Sequence, residues 1–112
     1  MLKKNPNDYQ TRKLLGITLL KAKSYKNAIA HLEYIIDKFE NDFETNFYLG
    51  EAYRALNKYA EAIYRYQKAL QIDNSNIYAL KSLSWSYFKI RYYSQALYIA
   101  EGLYKAQPND PQ

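Results

Sequence analysis

Cysteine is absent from all 112 residues, which excludes a disulfide framework, a thiolate metal site and a cysteine nucleophile. Histidine occurs once, as His31. Glu33 is near it, but no second ligand or nucleophile stands at useful spacing, and a lone imidazole in mid-helix is an ordinary surface or core side chain. The carboxylates Glu33, Asp37, Glu40, Asp42 and Glu44 fall singly on solvated faces. No glycine-rich phosphate loop, HExxH or GxSxG occurs. Long apolar runs are missing as well. Leu14 to Leu20 is far short of a membrane span, and Lys21-Ala22-Lys23 follows at once. These gaps predict a non-enzymatic chain with no cofactor, no metal and no membrane insertion. With no export signal either, a reducing, cytoplasmic compartment is the default expectation.

Aromatic and basic residues are abundant. The chain holds 14 tyrosines, four phenylalanines and one tryptophan, and its net charge is +5. By length it is one domain, able to bury about two-thirds of its unfolded surface. Its organising stretch is Phe43 to Asn76. Apolar and small residues at Phe47, Leu49, Gly50, Ala52, Tyr53 and Leu56 recur at intervals of three and four, the mark of one buried helical face. Asn57 and Lys58 interrupt this pattern. It resumes through Tyr59, Ala62, Ile63, Tyr66, Ala69 and Leu70, and the cap and turn residues Asp73-Asn74-Ser75-Asn76 end it. Two helices with so short a break form an antiparallel hairpin, which cannot bury both apolar faces alone.

The same pattern stands on either side at a period of 34. Gly50 has Gly16 before it and Ser84 after it, and Leu49 has Leu15 and Leu83. Tyr59 repeats as Tyr25 and Tyr93, Ala62 as Ala28 and Ala96, and Ile63 as Ile29 and Leu97. Three gapless copies at this period predict a stacked helical array. Helices are expected at Tyr9–Ala22, Tyr25–Lys38, Phe43–Leu56, Tyr59–Ile72, Ile77–Ile90 and Tyr93–Gln107, with Pro6 and Pro108 outside helix interiors. Gly102 falls inside the last helix. It implies either a close neighbouring backbone or a weak helix, and the weak helix is the reading adopted.

At Leu49, Gly50, Tyr53, Ala62, Tyr66 and Ala69 the chain resembles the tetratricopeptide repeat family, with Asn74 where proline is usual. The third copy matches at Leu83, Tyr87, Ala96 and Pro108 and departs at Ser84 and Ala100. The first matches at Leu15, Gly16 and Ala28, and the family's early tryptophan is replaced by Arg12, Asn46 and Leu80. The resemblance implies an all-α, right-handed α-solenoid of three helix-turn-helix repeats. These cover residues 9–42, 43–76 and 77–110, and residues 1–8 read as the tail of a preceding repeat. Asn5-Pro6-Asn7-Asp8 echoes Gln107-Pro108-Asn109-Asp110 three periods later, so a piece of a longer array, or self-association through open repeat ends, is expected.

In this family the first helix of each pair lines a concave groove. The resemblance therefore places Lys13, Ile17, Phe47, Tyr48, Glu51, Arg54, Tyr78, Lys81, Trp85, Phe88 and Lys89 on a partner-binding face. Aromatic anchors among cations suit a protein or peptide with apolar and acidic residues. The family's clamp for a C-terminal carboxylate is matched only by Lys13: Ile17 and Tyr48 stand for its asparagines, Tyr78 for its lysine and Ser82 for its arginine. Binding of that kind is not expected. Trp85 and Phe88 have a second reading, as packing for a following repeat. Single-stranded nucleic acid is the competing partner from another class, since aromatics interleave with lysine and arginine. It ranks below a protein partner, because the charges scatter and 11 acidic residues dilute them.

Overall fold

A computed structural model describes residues 8–107. The expected tail of a preceding repeat, apart from Asp8, lies outside the described residues, as do Pro6, Pro108 and the end of the third repeat. Six α-helices follow in order: α1 (Tyr9–Lys21), α2 (Tyr25–Ile35), α3 (Phe43–Ala55), α4 (Tyr59–Ile72), α5 (Ile77–Lys89) and α6 (Tyr93–Lys105). Each begins where the sequence pattern places it. The ends of α1, α3, α5 and α6 fall one or two residues short of the expected positions. The largest departure is the end of α2, where Ile36–Lys38 tightens into a 3₁₀ turn, as the last turn of a helix often does.

The period of 34 extends to the helix ends. Asp8, Asp42 and Asn76 cap α1, α3 and α5, each accepting a backbone N–H three residues on, from Thr11, Thr45 and Ala79, at 3.0 Å. Such caps satisfy donors that the first helical turn leaves unpaired. The second helices have no side-chain cap. Their entry is set instead by Lys23, Asn57 and Arg91, which all have positive φ (67°, 62° and 68°). At each, its own N–H and the next N–H return to carbonyls three and five residues back, as from Lys23 to Leu20 and from Ser24 to Leu19. That left-handed closure turns the chain straight into an antiparallel partner. Glycine normally holds this position, and the chain has none there.

Within each hairpin the helices cross at a small residue. A Cβ on Gly16 would lie 2.8 Å from the Leu32 side chain, and one on Gly50 would lie 2.8 Å from the Tyr66 ring. In the third hairpin the sizes are exchanged. Ser84 replaces the glycine, its hydroxyl donates to the Ala96 carbonyl at 2.9 Å, and Ala100 replaces the large partner. Between hairpins, Leu49 packs with Leu32, Ile35 and Ile36, and Leu83 packs with Ala62, Ile63 and Tyr66. The α3 helix thus rests on α1 and α2, and α5 rests on α3 and α4. The result is an α-solenoid measuring 57 × 27 × 23 Å, with a radius of gyration of 15.6 Å, against about 13 Å for a compact domain of this length.

A Cβ on Gly102 would meet nothing within 4 Å, so no neighbouring backbone requires that glycine. Gly102→Ala is therefore expected to stabilise α6 by about 1 kcal/mol. Amide hydrogen exchange over residues 93–105 should slow, and unchanged exchange there would refute the weak-helix reading.

Candidate functional site

Two of the clefts among the described residues divide the side chains that helical spacing grouped together. The first has a volume of about 540 Å³ and lies across α1, α3 and α5. Phe47, Tyr48 and Tyr78 supply its apolar surface, with Leu20, Tyr25 and Ala55, and Lys21, Lys23, Glu51 and Arg54 supply its charge. The Phe47 and Tyr48 rings meet edge to face at 5.2 Å. Lys21 Nζ stands 5.1 Å over the Tyr48 ring, an arrangement favoured by the negative face of the ring.

Arg54 is held in place from below. Its Nε donates to the Tyr66 hydroxyl at 3.0 Å, and its Nη2 donates to Glu51 Oε1 at 2.8 Å. The other Glu51 oxygen accepts from the Tyr66 hydroxyl at 2.5 Å and from Ser82 Oγ at 2.8 Å. Tyr66 is fully buried. Burial, and then the Glu51 charge and hydrogen bond, push its phenol well above the usual tyrosine range, so it remains a proton donor. Glu51 is thus occupied by three donors from three helices, while Arg54 keeps N–H groups of its planar fork for a ligand. Cations Lys21, Lys23 and Arg54 surround one already paired carboxylate, which makes the cleft positive.

The second cleft, about 760 Å³, lies between α5 and α6. Trp85, Phe88, Tyr93, Leu97 and Leu103 make it mainly apolar, and Lys81 stands at its edge. Trp85 and Phe88 meet edge to face at 5.4 Å, and Phe88 and Tyr93 lie 5.8 Å apart. Ser84 and Ala100 are also in the wall, so the exchanged sizes at the third crossing help to leave it open.

The sequence-predicted face therefore divides. Phe47, Tyr48, Glu51, Arg54 and Tyr78 line the first cleft, and Lys81, Trp85 and Phe88 line the second. Lys13 is engaged elsewhere, bridging Asp42 and Glu44 at 2.9 Å each. Ile17 packs into the core around Leu32. Lys89 is exposed at the end of α5 and lines neither cleft. Lys23 and Tyr25 were not singled out by helical spacing. The signal that finds them is the turn that precedes each second helix, where Lys23 repeats as Asn57 and Arg91.

His31 lies 3.4 Å from an Arg12 nitrogen through Nδ1, and the Arg12 guanidinium stacks 3.9 Å from the Tyr34 ring centroid. Among the described residues no group of histidines and carboxylates is placed to hold a metal ion. No helix among them is long and apolar enough to cross a membrane.

Comparison with known proteins agrees with this architecture. A family model described as TPR repeat matches residues 50–89. Phagocyte signaling-impaired protein of Drosophila pseudoobscura pseudoobscura is 28% identical over 110 residues, which cover 98% of this chain and 11% of that protein. Among solved structures, MamA 41-end from Desulfovibrio magneticus RS-1 superposes with a TM-score of 0.86 at 23% identity. The match covers 96% of this chain and 61% of that one. The MamA RS-1 ArsTM double mutant gives 0.83 at 26% identity, covering 95% and 61%. The chain thus spans about a ninth of the curated relative and about three-fifths of these solved chains.

Proposed function

Because this chain is a tetratricopeptide-repeat protein, we propose that it serves as a non-catalytic scaffold that binds a protein segment in the cleft across its first helices. The observation that carries this reading is the geometry around Arg54. A buried Tyr66 and a triply engaged Glu51 hold its guanidinium at the cleft, beside exposed Lys21 and Lys23 and the aromatic surfaces of Tyr48 and Tyr78. A fork held by packing loses little freedom when it meets a carboxylate. The segment that suits the cleft carries an acidic side chain next to aromatic or aliphatic ones. Its apolar residues cover Phe47, Tyr48 and Tyr78, and its carboxylate meets Arg54. The lysines steer the approach more than they set the final affinity.

Fluorescence anisotropy with labelled acidic-apolar peptides tests the proposal. Lys21→Glu combined with Lys23→Glu is expected to weaken binding about 5- to 30-fold, since each exposed pair contributes up to about 1 kcal/mol and reversal adds repulsion. Lys26→Glu, on the exposed side of α2, should leave binding unchanged. Equal losses at both places would mean that only net charge matters. Binding confined to single-stranded oligonucleotides, and collapsing steeply with salt, would overturn the protein-partner reading.

A further inference from the structure

The cleft between α5 and α6 repeats, by symmetry, the space that α5 fills against α4 and that α3 fills against α2. Its residues occupy positions that are covered at the internal junctions. Ile63 is only 8% exposed beneath α5, whereas its counterpart Leu97 is 57% exposed. The opposite end of the molecule shows the complementary deficit. Leu49 and Leu83 are 0% and 6% exposed against the preceding hairpin, but their counterpart Leu15 is 43% exposed on α1. The described residues thus present both halves of the junction that the array builds twice internally.

We propose that the α5–α6 cleft receives the α1 helix of a second copy of this chain, stacked head to tail in continuation of the internal array. The pairing across each junction supports this occupant. At the first internal junction Ile17 of α1 and Tyr48 of α3 are both apolar and belong to one core cluster. At the second, the same two positions are Glu51 and Ser82, both polar and hydrogen-bonded at 2.8 Å. At the proposed junction they are Trp85 of one copy and Leu14 of the next, both apolar, and they are 60% and 65% exposed in the single chain. The chemistry is matched within every pair although it differs between pairs. Ala100, standing where Tyr66 fills the second hairpin, leaves room for the incoming leucines. The contact uses two different surfaces, so each copy can accept one neighbour and donate to another. Growth then does not stop at two.

Sedimentation velocity of the 112-residue chain from micromolar to millimolar concentration tests this. A ladder of oligomers is expected, with Trp85 emission moving to shorter wavelength as the cleft fills. Leu14→Glu and Leu97→Glu change opposite ends at exposed positions, and circular dichroism establishes that each variant keeps its helices. Each alone should weaken association at least tenfold. Their equimolar mixture should form a heterodimer that grows no further, because the intact α1 of one meets the intact cleft of the other. Trp85→Gln provides a second cleft variant, with the behaviour expected of Leu97→Glu. A wild-type monomer at every concentration would overturn the proposal. So would full association by Leu14→Glu together with loss in Leu97→Glu, which would indicate cleft-to-cleft pairing.

Discussion

Replacing Tyr66 with alanine is expected to lower the stability of the array by about 3–5 kcal/mol, the usual range for deleting a buried aromatic side chain. The residue is fully buried, its ring lies against the α3 backbone at Gly50, and it packs with Leu83 from the next hairpin. Its loss would therefore open a void both within one hairpin and between two. A domain of this size has only about 5–15 kcal/mol of stability in total, so much of the solenoid would be close to unfolding. Tyr66→Phe separates the two roles of the side chain. It keeps the ring, removes the hydroxyl shared by Glu51 and Arg54, and should lower stability by about 1–3 kcal/mol. Urea denaturation followed by circular dichroism measures both. Losses of equal size would mean that the hydroxyl network, not the ring, is what the fold depends on.

Asn46→Ala is expected to have the next largest effect, a loss of about 2–3 kcal/mol. Asn46 is 1% exposed, and its amide nitrogen donates to the carbonyls of Glu40 and Asp42 at 3.0 and 3.1 Å. Its oxygen accepts from Arg65 at 3.1 Å. One side chain thus ties the loop before α3 to α3 itself and to α4. Alanine removes the donor to the part-buried Glu40 carbonyl and the acceptor for Arg65, each a penalty of about 1–3 kcal/mol unless water reaches the group. The Asp42 carbonyl keeps the Asn46 backbone N–H. The same denaturation experiment reads the change. A difference below about 0.5 kcal/mol would show that water enters and replaces the amide.

These residues show how far the sequence carried. Tyr66 was legible as a core position because it falls on the 3.6-residue period in a matched repeat. Asn46 was noticed only as a departure from the family's tryptophan. A polar residue at a core position announces that it needs partners, but spacing along the chain does not reveal backbone carbonyls four and six residues back or an arginine 19 residues on. Gly16 and Gly50 were legible as close crossings, while the compensation at Ser84 and Ala100 required both helices in place. The groove was legible in part. The family resemblance chose the first helices, and helical spacing chose on them the side that carries Phe47, Tyr48, Glu51, Arg54 and Tyr78, yet spacing could not separate that cleft from the one holding Trp85 and Phe88. It also could not show that Lys13 is taken by Asp42 and Glu44, because those carboxylates approach from the neighbouring hairpin.

By itself, then, the sequence determined the helices, the hairpins and the stacked array, since these follow from local periodicity, capping residues and a repeat of 34 residues that three aligned copies share. The tertiary structure alone decided which cations remain available, which aromatics share a cleft and which leucines stay uncovered. Those properties depend on side chains brought together from different hairpins, and their distances are set by packing between repeats, not by spacing along the chain.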